Sequence, residues 1–222
     1  MERESELVAA VRASAMCEDW PHVERMCMEC ELRMAPEQPS AVYREEMVCL
    51  MLQDEYTHAQ NVYEKAAIMM LSAEQKPPSQ VQVLRSLASA CSFLKQREFG
   101  AFFRWLKQHS GKVTSGDQVL EFMLNKLEKR VRQLVLETVA SAYKAIALSQ
   151  FAEMFSMDTE TARRFVLSEE LAGDGWQLEA GSRDGTACSF VLPGKPKRAR
   201  QAGRLNAKEL ERLAQTLYDI QT

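Results

Sequence analysis

Apolar residues in the first half of the chain recur every three or four positions, the period of helices with one buried face. Leu7, Val8, Val11 and Ala15 set the first stripe, with Met16 beside them. Asp19-Trp-Pro-His22 reads as a turn, and Pro21 suits the first turn of a second helix running to about Met34. Pro36 and Pro39 break it. Ser40 then caps a third helix carrying Tyr43, Met47, Leu50 and Met51. A fourth runs from about Glu55 to Leu71, and Lys76-Pro-Pro-Ser79 ends it. Val83, Leu84, Leu87, Cys91 and Leu94 mark a fifth, and Phe99 to Leu106 a sixth, followed by a loop from Ser110 to Gly116. From Asp117 to about Leu148 no proline or glycine interrupts the pattern. Leu120, Met123, Leu127, Val131, Leu134 and Val135 fall on one face of that long segment, with a candidate break near Lys129-Arg-Val-Arg132.

The pattern changes after Leu148. Phe151, Ala152, Met154 and Phe155 make a short apolar helix, and Asp158 caps a second one carrying Ala162, Phe165 and Val166. Trp176, Leu178 and Ala180 then alternate with polar residues, as do Cys188, Phe190 and Leu192, which is the period of strands. Gly181-Ser-Arg-Asp-Gly-Thr186 between them is turn chemistry. Helix, turn, helix, hairpin is the order of a winged helix. The sequence thus predicts a mainly α chain in five parts: helical repeats of the TPR or HEAT type over 1–114, a connecting helix over 115–148, and a winged helix with a small antiparallel hairpin over 149–193. A basic linker over 194–204 and a detached partner helix over 205–222 complete it.

The repeat rests on three similar stretches. Glu18-Asp-Trp-Pro-His-Val23, Asp54-Glu-Tyr-Thr-His-Ala59 and Arg97-Glu-Phe-Gly-Ala-Phe102 each place an acid before an aromatic, with apolar residues three, six and seven positions beyond that aromatic. Helical hairpins need such faces when each buries its surface on the next. In the linker, Lys195, Lys197, Arg198, Arg200 and Arg204 have no acid among them, so a mobile tether is expected, with solvation, nuclear import or a nucleic-acid contact as its readings. Asn206 and Glu209 form a capping box, and Leu210, Leu213, Leu217 and Ile220 step by three, four and three. That seam suits a partner helix, or one folded back on its own core.

With 222 residues, 46% of them apolar and only nine glycines, the chain has material for a sizeable core. Its formal charge of −3 gives no global attraction to nucleic acid or to an anionic membrane. The charged start, Met1-Glu-Arg-Glu-Ser-Glu6, does not read as a signal peptide, and no apolar run approaches the roughly 20 residues of a span. A soluble, intracellular protein is expected. Cys27 and Cys30 form a C-x-x-C with Cys17 and His22 nearby, but they lie in a helical stripe without a second pair, so a small-hydrophobe role outweighs zinc. His22, His58 and His109 are scattered, and Gly111-Lys-Val-Thr114 lacks the earlier glycine of a phosphate loop. No catalytic constellation and no cofactor motif is present. Asp158 to Leu171 sets four acids against two arginines, the wrong balance for a helix that reads DNA.

Ser141-Ala-Tyr143, Phe151-Ala-Glu-Met-Phe155, Met157-Asp-Thr-Glu160 leading to Ala162, and Gly175-Trp176 together resemble the PCI domain. That family supplies subunits to the signalosome, the proteasome lid and translation initiation factor three. Leu210-Glu-Arg-Leu213 through Tyr218 is similar to the tail of the short signalosome subunits, and the upstream half fits more loosely. The link over Glu170 to Asp174 departs by being longer, and the early cysteines have no counterpart. The resemblance implies a non-catalytic scaffold subunit, cytoplasmic and nuclear, of a complex that deneddylates cullins through a different, zinc-dependent subunit. The equivalent subunits of the lid and of initiation factor three are the alternatives, followed by a winged-helix nucleic-acid binder. Partners would be other PCI subunits, with no membrane among them and nucleic acid disfavoured. Trp176, Leu178, Phe190 and Leu192 would shape the winged-helix contact, and Leu210, Leu213, Leu217 and Ile220 a shared helical bundle.

Overall fold

The computed structural model describes residues 2–33, 40–72, 78–183 and 186–194. These form ten helices and one three-stranded antiparallel sheet. Helices α1 (Glu2–Met16), α2 (Trp20–Arg33), α3 (Ser40–Leu52), α4 (Tyr56–Ser72), α5 (Pro78–Lys95) and α6 (Phe99–Thr114) pack each against the next, and α3 also meets both α1 and α5. The basic linker, the capping box and the seam of Leu210, Leu213, Leu217 and Ile220 lie outside the described residues.

The turns into α2, α4 and α6 share one geometry. Glu18, Asp54 and Arg97 are left-handed, with φ of 61°, 65° and 61°. In each turn that residue's amide and the next one reach back over the helix end. Glu18 N–H donates to Ala15 O and Asp19 N–H to Ser14 O; Asp54 donates to Met51 and Glu55 to Leu50; Arg97 donates to Leu94 and Glu98 to Phe93. This paired closure satisfies carbonyls that a helix end leaves orphaned. The aromatic that follows, Trp20, Tyr56 or Phe99, opens the next helix. Two buried thiols mark a further correspondence: Cys49 of α3 donates to Trp20 O and Cys91 of α5 to Tyr56 O.

Helix α7 (Gln118–Ala142) lies against α1, α3 and α6. Asp117 caps it, accepting from the amides of Val119 and Leu120. Leu120, Met123, Leu124, Leu127, Val131, Val135 and Val139 are its buried face. Each such side chain contributes roughly 1.5–3 kcal/mol by leaving water. Its outer side ties down the left-handed turns: Lys126 pairs with Glu18, and Arg130 with Asp54 at 2.5 Å. At its start, Arg12 of α1 bridges Asp117 at 2.5 Å and the buried Glu45 of α3 at 3.2 Å.

Two boundaries differ from the sequence expectation. The loop assigned to Ser110–Gly116 is helical as far as Thr114, because buried Val113 continues the stripe and Gly111 is tolerated there. The long helix ends at Ala142, not Leu148, and has no break at 129–132. Tyr143 turns extended, at φ −123° and ψ 138°, and the chain enters a strand, β1 (Ile146–Ala147). Pairing with a strand some 45 residues later overrides the local helical pattern.

Candidate protein-interaction surface

Beyond β1 come α8 (Leu148–Met154), α9 (Thr159–Val166), α10 (Glu169–Gly173), β2 (Gln177–Arg183) and β3 (Thr186–Leu192). The sheet order is β1-β3-β2. Asp158 caps α9 as expected, accepting from Thr161 N–H at 2.8 Å and from its hydroxyl at 2.6 Å, and these bonds hold its carboxyl below the usual range. The longer link over Glu170–Asp174 is α10. Gly175, at φ +85°, then closes it and lets Trp176 N–H reach Leu171 O.

The register decides which side chains face out. Leu178 and Ile146 are both opposite Val191, and Val191 is fully buried. These three face the helices. Glu179 and Ala147 are opposite Phe190, and Gln177 is opposite Leu192, so those residues occupy the other face. Phe190 and Leu192 are half-buried and stand outside the core cluster. The Phe190 ring lies on Gly181, where any Cβ would come within 2.7 Å of it. An aromatic laid across a strand glycine covers backbone that would otherwise be bare.

The four sheet-end residues singled out in the sequence therefore separate. Trp176 precedes β2 and is 6% exposed, with its ring centroid 5.9 Å from that of Phe151. Phe151 meets Phe155 at 4.9 Å, and Phe155 meets Phe103 of α6 at 5.7 Å, so Trp176 ends an aromatic chain that locks this unit onto the helical array. It is too buried to be touched directly. Leu178 faces inward beside it, and Phe190 and Leu192 are the two that face out. Alternation alone marks all four as apolar strand positions and does not say which of them turn toward the helices. Neither the inward Val191 nor the strand at Ile146 was found that way, although a β-branched residue between alanines was a usable signal.

Together the outer face and strand β2 make an open platform. Among the described residues β2 pairs with β3 alone, which leaves one row of its backbone groups without a ladder partner. Such an edge accepts a further strand. Exposed Gln177 and Glu179 rim the apolar pair.

Chemistry elsewhere is muted. No group of three or more His, Cys, Asp or Glu among the described residues could hold a metal ion. Cys27 and Cys30 are buried in the α2 stripe. Burial pushes the Cys91 thiol up to about 11 and Cys49 to about 12, so both stay protonated donors. Exposed His58 sits 3.4 Å from Glu55, and His109 Nδ1–H donates to Trp105 O. No helix among the described residues is long and apolar enough to cross a membrane. Neither a protein-family model nor a curated protein sequence matches the chain.

Proposed function

We propose that this chain is a non-catalytic scaffold subunit of the COP signalosome, in the position of its smallest PCI subunit, subunit 8. The observation that carries the reading is the sheet: an open β2 edge beside an outward apolar pair, Phe190 and Leu192, on a unit pinned to a helical array. The element order α7, β1, α8, α9, β2, β3 with strand order β1-β3-β2 supports a winged helix. The three equivalent turns and the two thiol–carbonyl bonds support helical repeats. In this reading the sheet joins an inter-subunit array of other PCI subunits in cytoplasm and nucleus, and the last helix, with Leu210, Leu213, Leu217 and Ile220, joins a shared bundle. The catalytic deneddylation belongs to another subunit.

The exposed side chains of α9, Glu160, Arg163 and Arg164, favour a protein partner over DNA, since Arg163 is drawn to Glu160 at 3.9 Å and to Ser189 at 3.3 Å. A phosphate backbone would meet the Glu160 carboxylate beside Arg163. The equivalent short subunit of the proteasome lid or of initiation factor three is separated from the signalosome subunit by one experiment. The tagged chain is purified from its native cells and the co-eluting proteins are identified by mass spectrometry. Recovery with other PCI subunits and a metal-dependent isopeptidase is expected, and their identities choose the complex. The double variant Phe190→Asp, Leu192→Asp should lose those partners while keeping its helical circular dichroism. A chain eluting alone overturns the reading, and undiminished recovery of the variant removes the sheet from the contact.

A further inference from the structure

We propose that the cleft between α5 and α6 is a docking groove for an acidic, extended segment of a partner protein. It encloses about 820 Å³. Its floor is apolar and firm. Trp105 is 5% exposed, its Nε1–H donates to Ser86 Oγ at 3.0 Å, and its ring stacks on His109 with centroids 6.1 Å apart. Half-buried Phe93 lies beside it. The walls are cationic: Arg85 from α5, and Arg104 and Lys112 from α6, all exposed. No carboxylate lines the groove, and none of the three has an acidic partner among the described residues. Elsewhere on the array Arg12, Arg44, Lys65, Lys126 and Arg130 each take a carboxylate of this chain. Three uncompensated cations around an apolar floor leave a charge deficit that a partner's acids would fill.

The spacing gives the ligand's pattern. Arg104 and Lys112 are eight residues apart on one helix, about 12 Å along its axis. An extended peptide advances about 3.3 Å per residue and turns alternate side chains to the same side. Two acids four residues apart therefore span the two cations, and the residue midway between them faces the floor. The recognised segment is acid, any, apolar, any, acid. A single-stranded nucleic acid fits less well, because base stacking needs an open ring face. The indole of Trp105 is almost wholly buried and stacks with both His109 and Phe102, each at 6.1 Å.

The test uses the isolated full chain at low salt, so its outcome is independent of assembly into any complex. The probe is a fluorescein-labelled Gly-Ser-Glu-Ser-Leu-Ser-Glu-Ser-Gly peptide followed by anisotropy. The wild type should bind it. The double variant Arg104→Glu, Lys112→Glu should bind at least 10-fold more weakly, and the distant Arg163→Glu, Arg164→Glu should change the affinity less than 2-fold. All four side chains are exposed, and circular dichroism checks that each variant is folded. No binding by the wild type overturns the groove, as does an equal loss in both double variants. Tighter binding of a five-nucleotide thymidine oligomer than of the peptide overturns the peptide assignment.

Discussion

Glu46 of α3 is 4% exposed and meets Glu31 and Glu24 of α2, with Lys65 of α4 in opposition. Burial, then Glu31, pushes its carboxyl up to about 7, against an ordinary value of 4.5. Between those two values the folded protein holds a proton that the unfolded chain has released, so stability rises as pH falls through 7 and levels off near 4.5. The span corresponds to about 3 kcal/mol. Glu46→Gln should therefore be more stable than the wild type at pH 8, by about 1–3 kcal/mol, and should flatten the urea midpoint between pH 5 and 8. An unchanged pH slope would place the proton elsewhere. The neighbouring Glu45 is the nearest candidate, because burial raises its carboxyl despite Arg44 and Arg12. At this scale the sequence concealed most of the chemistry. Nothing in Tyr43-Arg-Glu-Glu-Met47 marks its adjacent glutamates as buried, and only the packing of the neighbouring helices around α3 buries both. The left-handed turn residues were equally hidden, since Glu18, Asp54 and Arg97 stand where glycine is the usual choice, at a cost of roughly 1–2 kcal/mol each. Glu18 and Asp54 instead offer the carboxylates that Lys126 and Arg130 of α7 hold.

Between elements, α6 approaches α8 closely at Gly100. A Cβ on Gly100 would sit 2.5 Å from the backbone oxygen of Glu153, inside any permitted contact. In an exposed helix, replacing glycine by alanine gains about 1 kcal/mol. Here the neighbour is backbone rather than the tip of a side chain, so one helix must move, and overpacking of this kind costs about 1–3 kcal/mol. Gly100→Ala should therefore lower the thermal midpoint and redden Trp176 emission as the two units part. A raised midpoint would mean that the interface yields easily. Helix existence was legible at this scale because each stripe is long and regular, and Asp158 announced its cap. The sheet was only half legible. Phe190 and Leu192 alternate as a core face would, yet Val191 is the residue that enters the core, because pairing to Ile146 fixes which face of β3 meets the helices. That pairing spans 45 residues and leaves no trace in local periodicity.

At the scale of the whole molecule, one continuous core runs from Val11 of α1 to Val191 of β3, α6 meets α8 across the junction, and α7 leads the chain from one half into the other. Its buried face touches the early helices, and its end feeds β1. The aromatic chain from Phe103 through Phe155 and Phe151 to Trp176 closes the same junction from the other side. A core without a gap favours one cooperative transition, although chains of this length often populate intermediates. Two single-tryptophan chains separate these outcomes, one keeping Trp20 in α2 and the other Trp176 at the sheet. In each, the fluorescence midpoint in urea should coincide with the helical circular dichroism midpoint. Leu127→Ala, at a fully buried position in the middle of α7, should cost about 2–5 kcal/mol and move both probes together. If Trp20 and Trp176 instead report different midpoints, the helical array and the sheet-bearing unit are separate folding domains, and α7 belongs to the array alone.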